Sequence, residues 1–169
     1  MVAKTEKKLT KAERRVRVAK DVIKQLKFNQ RFSTYGWASI PITIDLNDSA
    51  QKHIKMLQRE CEACALGKCF LSFIKLENKV KMKEIARKSF YDDDINAVRI
   101  TRGTVIQKLG KLFSEDQLDL IEACFEQTTV FARSVIPSKA LDFTKDLTKE
   151  ERLKAIMLNV IENKGVFKP

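Results

Sequence analysis

The chain has 169 residues and a mass of 19.4 kDa, the size of one ordinary domain. Its 33 Lys and Arg against 22 Asp and Glu give a net charge of +11, and 44% hydrophobic residues are enough for a core. Five Gly, three Pro and a single His exclude Gly-rich phosphate loops, collagen-like or Pro-rich disorder, and any site built on two histidines.

The positive charge is concentrated at the start. Residues 1–31 carry eleven basic and three acidic groups, whereas residues 114–169 carry eight and ten. This distribution reads as a flexible basic arm over residues 1–10, holding Lys4, Lys7 and Lys8, ahead of a single helical domain over residues 11–169. Within that domain Thr10 and Glu13 match a capping box, and Ala12, Val16, Ala19, Ile23 and Leu26 recur at helical spacing. The first helix is therefore expected from Lys11 to Lys27, with Arg17, Lys20, Lys24 and Lys27 together on its other side and Arg14 at the margin.

Residues 28–48 read as a long irregular loop holding Phe32, Tyr35 and the only Trp, Trp37; within it Ala38 to Ile44 is strand-like but interrupted by Pro41. Asp48 or Ser49 can cap a second helix, and Ile54, Leu57, Cys61, Cys64, Ala65 and Leu71 continue one stripe to Glu77. The expectation is a continuous central helix over 49–77. A short helix over Lys81–Lys88, an acidic turn at Asp92–Asp94 and a helix over Ile95–Leu112 follow. Ser114 with Gln117, and Thr148 with Glu151, repeat the capping-box pattern, and Gly165 stands where a helix C-terminal cap is expected. The fold class is all-α: a single-domain bundle of five or six helices.

No stretch reaches the roughly 20 apolar residues of a membrane span, since Lys68 breaks the run Ala63–Ile74. The N-terminus lacks the apolar core of a secretory signal, and four Cys are too few for a disulfide scaffold. A soluble cytoplasmic protein with reduced thiols and no membrane partner is expected.

Cys61, Cys64 and Cys69 form C-x2-C-x4-C and are the weak candidates for metal ligands. On a continuous helix only Cys61 and Cys64 would face the same way, and no second pair exists, so core packing is expected, with no metal and no cofactor. Asp92, Asp94 and Asn96 open like a calcium loop, but Ala97 stands where the loop needs Gly and Gly103 where it needs Glu. His53 and Cys61 are two helical turns apart, too far for a nucleophilic pair, and nucleophile-elbow and nucleotide-loop motifs are absent. The chain therefore reads as a binding protein rather than an enzyme.

Lys83–Arg87 followed by Ile100–Ile106 resembles the two helices of bacterial winged-helix regulators. That resemblance implies a recognition helix presenting Arg102, Thr104 and Lys108 to a major groove. Against it, the spacing is several residues too long and Asp92–Asp94 would lie beside the DNA; Val105, Leu109 and Leu112 then simply pack a helix. Separately, Cys61–Ser72 (CEACALGKCFLS), Arg152–Pro169 and Leu120–Glu126 resemble parts of short proteins of unknown function from bacteria and their phages. This implies a bacterial or phage accessory protein.

The functional expectation is a non-catalytic accessory protein that engages nucleic acid or a nucleoprotein machine through Arg14, Arg17, Lys20, Lys24 and Lys27. The alternative is an inhibitor or adaptor that meets an acidic protein partner with its basic face, anchored by Phe32, Tyr35 and Trp37.

Overall fold

A computed structural model describes residues 9–33, 38–40, 45, 47–77, 80–85, 87–88, 98–131 and 134–169. In chain order the elements are α1 (Lys11–Leu26), β1 (Ala38–Ile40), α2 (Ala50–Glu60), β2 (Glu62–Ala63), α3 (Ala65–Leu76), β3 (Arg87–Lys88), β4 (Val98–Ile100), α4 (Arg102–Leu109) and α5 (Glu115–Glu126). They continue with β5 (Val130–Phe131), β6 (Ser134–Val135), the single turn α6 (Ser138–Leu141) and α7 (Lys149–Glu162). Helices dominate, as expected of an all-α bundle. The arm over residues 1–8, Tyr35, Trp37 and Asp92–Asp94 lie outside the described residues.

Two of the capping boxes form. Thr10 accepts the Glu13 N–H while Glu13 Oε2 accepts the Thr10 N–H at 2.7 Å, and Thr148 and Glu151 repeat the exchange at 2.9 Å. At Ser114 only half of the box forms: Ser114 accepts the Gln117 N–H, but the Gln117 side chain turns to the C-terminal segment. There it accepts the Phe167 N–H at 2.7 Å and donates to the Phe167 carbonyl at 3.1 Å, securing a buried phenylalanine. Helices α1 and α7 lie antiparallel, with Gly165 against Ala12 at one end and Ile23 and Leu26 beside Glu150 and Lys154 at the other. Gly165 has φ +94°, and a Cβ there would stand 2.8 Å from the Ala12 carbonyl oxygen, so both the backbone and the packing require glycine.

The continuous helix expected over 49–77 is broken in two. Cys61 leaves α2 in an extended conformation, Glu62 and Ala63 pair with Ser39 and Ala38, and Cys64 caps α3. Asn29 supports the break by donating to the carbonyls of Gln58 and Cys61, both at 2.9 Å, which meets acceptors that the end of α2 would leave orphaned. The expected helix over Lys81–Lys88 is replaced by a 3-10 turn at Met82–Glu84 and the strand β3. The expected helix over Ile95–Leu112 likewise keeps only α4, because Val98–Ile100 pairs with β1 and β3. The β-branched Val98 and Ile100 suit that pairing. The four short strands form an antiparallel sheet in the order β2–β1–β4–β3.

Helix α3 is the centre. Every residue from Ala65 to Ile74 is buried, and α1, α2, α4 and α5 pack around it. A helix apolar on all sides needs such a surround, and each fully buried side chain such as Phe70, Leu71 or Ile74 contributes about 1.5–3 kcal/mol. Among the described residues no helix is long and apolar enough to cross a membrane.

Candidate functional site

Helix α1 sorts its charges by direction. Its α7-facing side holds Ala12, Val16, Ala19, Ile23 and Leu26, and Val18, Val22 and Gln25 turn toward α3. Arg17, Lys20, Lys24 and Lys27 fall within about 80° of arc at 100° per residue and span about 15 Å of the axis. All four are exposed, and among the described residues none meets a carboxylate. Glu13 shares this face, but its carboxylate is engaged in the Thr10 capping box.

Three other charges of α1, Arg14, Arg15 and Asp21, are engaged within the fold. Arg15 donates to the carbonyls of Leu112 at 2.6 Å and Gly165 at 3.3 Å, and its guanidinium stacks on Phe113. Asp21 faces inward, accepting from Ser72 at 2.9 Å, Lys75 at 2.6 Å and Gln58 at 2.8 Å. Arg14, expected at the margin of the basic face, instead pairs with Glu77 at the end of α3.

The residues of the expected recognition helix are occupied within the chain. Arg102 approaches Asp119 of α5 at 3.5 Å, Thr104 bonds the capping Thr101, and Lys108 donates to Glu84 at 2.9 Å. The Lys108 bond holds the Glu84 carboxyl below its usual range. The first helix of the resembled pair is absent as well, since Lys83 and Glu84 lie in the 3-10 turn and Arg87 in β3. Two groups that the sequence placed in separate sites do come together: Arg14 and Lys108 line one cleft of about 310 Å³ with Phe73, Glu77, Val80, Glu84 and Lys111.

The cysteines do not converge. Among the described residues no group of three His, Cys, Asp or Glu side chains could hold a metal ion. Cys61 ends α2, Cys64 caps α3 by accepting the Gly67 N–H at 3.4 Å, and Cys69 faces Met157 at 3.9 Å. Burial pushes the Cys69 thiol up to about 12 and the Cys64 thiol well above its usual value, so both stay protonated and are poor nucleophiles. His53, expected as a surface residue, is half-buried and bonds Asp48 at 2.8 Å.

Between these cysteines lies a group the sequence reading missed. Lys68 is fully buried on α3; its Nζ donates to the Asn29 carbonyl at 3.1 Å and lies 5.2 Å from the centre of the Phe32 ring. Burial lowers its pKa from 10.5 to about 8. Phe32 therefore faces inward, packing on Phe125 as well as over Lys68. Glu122 of α5 is buried beside the N-terminus of α3 and accepts the Leu66 N–H, and burial pushes its pKa from 4.5 up to about 8. The one sequence signal for Lys68 is a single charge inside the run ACALGKCFLSFI. Lys68 ties α3 to the segment after α1 at Asn29, and Glu122 ties α5 to the N-terminus of α3.

No protein-family model, no characterised protein and no solved structure matches the chain, so its functional reading rests on its own residues.

Proposed function

We propose that the chain is a non-catalytic accessory protein that binds nucleic acid, free or within a nucleoprotein assembly, through the exposed row Arg17, Lys20, Lys24 and Lys27. The observation that carries this reading is the sorting of charge on α1. Asp21, Arg14 and Arg15 turn to the protein, while four cations face outward without a carboxylate partner among the described residues. A row of this kind neutralises backbone phosphates and gains affinity from counterion release, without reading base sequence. Phe32, one of the three aromatic anchors of the adaptor reading, is partly buried and packs on Phe125 and Lys68.

Fluorescence-anisotropy titrations of duplex DNA, single-stranded DNA and RNA test the reading. Four phosphate contacts correspond to a fall in affinity of roughly 50- to 150-fold between about 50 and about 200 mM salt. Charge reversal at Arg17, Lys20 and Lys24 should abolish binding. Unchanged binding by that variant, or no binding by the native chain at low salt, would refute it. In the second case the exposed row is left for an acidic protein surface.

A further inference from the structure

We propose that the cleft lined by Arg14, Lys108 and Lys111 seats one nucleotide of a single-stranded nucleic acid whose neighbouring phosphates run along Arg17, Lys20 and Lys24. This rests on the nucleic-acid reading above and adds to it a strand type and a second contact surface.

Position comes first. Arg14 precedes Arg17 by three residues, about 4.5 Å along the axis and about 60° around it, so the cleft opens where the exposed row ends. Size is the second argument. At about 310 Å³ the cleft lies at the lower end of small-ligand pockets, room for a nucleotide but not for a duplex.

Charge is the third. The cleft carries three cations against two carboxylates, and Lys111 makes no ion pair among the described residues. The Lys108 pair is uneven, its lysine side chain 16% exposed against 41% for Glu84, whereas Arg14 and Glu77 are almost equally exposed at 32% and 37%. Glu84 can therefore rotate into water while Lys108 stays in place, and Arg14 and Glu77 both reach solvent. Surface ion pairs of this kind are weak, whereas a phosphate takes charge-assisted bonds from Arg and Lys together. Beneath the charged rim, Phe73 and Val80 give an apolar floor against which a base can lie.

The test uses the full chain and a short fluorescein-labelled oligothymidylate, with a hairpin duplex of similar length for comparison. Each lost phosphate contact on a single strand lowers the slope of log affinity against log salt by about 0.7. The Lys108→Gln, Lys111→Gln double variant is expected to bind roughly tenfold more weakly, with a slope reduced by about 1.4. Lys111→Gln alone, at an exposed position without an ion pair, keeps the fold intact and should lower the slope by about 0.7. Tighter binding of the duplex than of the oligothymidylate by the native chain would overturn the proposal. So would a native slope in both cleft variants while Lys20→Glu, Lys24→Glu loses binding; that result would leave the nucleic-acid reading standing. Failure of the native chain to bind either probe at low salt would overturn both.

Discussion

Lys68 gives the sharpest physical test of the fold. Replacing it by Met keeps a long flexible side chain and removes the amine, so two opposed effects are expected near neutral pH. The cost of burying a charge disappears, and the Asn29 carbonyl loses its donor, which costs about 1–3 kcal/mol. The net change near neutral pH is therefore small, and the discriminating quantity is its pH dependence. With the amine at about 8 in the folded chain and 10.5 when unfolded, the unfolded chain binds more protons between these values. Stability conferred by native Lys68 must then rise with pH through that window, by about 3 kcal/mol in all. About 2 kcal/mol of this falls between about pH 7 and about pH 9.5.

Buried thiols act in the opposite sense. Cys69 near 12 and Cys124 near 11 hold their protons in the folded chain after unfolded thiols, at 9.0, have lost theirs. They erode stability above about pH 9 in both proteins, so the difference between native chain and Lys68→Met isolates the amine. Urea unfolding at several pH values supplies that difference. A difference that stays flat from about pH 7 to about pH 9.5 would show that Lys68 takes its proton as freely as a surface lysine. Asn29 and Phe32 would then not be closed over it.

Glu122 should show the reverse slope. Its carboxyl keeps a proton up to about 8 when folded and 4.5 when unfolded, so its contribution falls as pH rises through that window, by about 5 kcal/mol. Glu122→Gln preserves an acceptor for the Leu66 N–H and should flatten this fall in urea titrations between about pH 5 and about pH 8. Gly165→Ala forces an L side chain into φ +94° and against the Ala12 carbonyl, and should cost about 2–3 kcal/mol, read as a lower urea midpoint with unchanged slope.

What the sequence made legible follows local chemistry. Thr10 with Glu13 and Thr148 with Glu151 act within one helical turn, and the structure contains both boxes where the pattern puts them. The break between α2 and α3 has no such local mark. Its stop is secured by Asn29, its strand residues by Ser39 and Ala38, and its restart by Glu122 from 56 residues away. A cysteine is also not among the residues that announce an N-cap, yet Cys64 serves as one. Uninterrupted apolar periodicity across Cys61–Cys64 therefore read as one helix. The basic row was legible because Arg17, Lys20, Lys24 and Lys27 depend only on helical spacing. The roles of Arg14, Arg15 and Lys108 were not, because each is set by a partner distant in sequence: Glu77, the Leu112 carbonyl and Glu84.

The contrast between α1 and α5 bears on whether the exposed row is merely a charged surface. Helix α5 carries five acids and no base, yet its acids have internal uses. Glu115 and Asp116 lie in its first turn, where the helix dipole favours negative charge. Asp119 meets Arg102, Glu122 caps α3, and Glu126 pairs with Lys149. On α1 the same accounting explains Arg14, Arg15 and Asp21, and the dipole at the helix C-terminus partly explains Lys24 and Lys27. Arg17 and Lys20 sit in the middle turns, exposed, away from the helix ends and without an ion pair among the described residues. A face kept charged only for contact with water tolerates either sign, and α7 beside it carries three acids among its charges. A middle turn whose acid, Asp21, bonds inward while its cations stay exposed is instead the pattern an anionic ligand selects, which makes Arg17 and Lys20 the positions where the two explanations part.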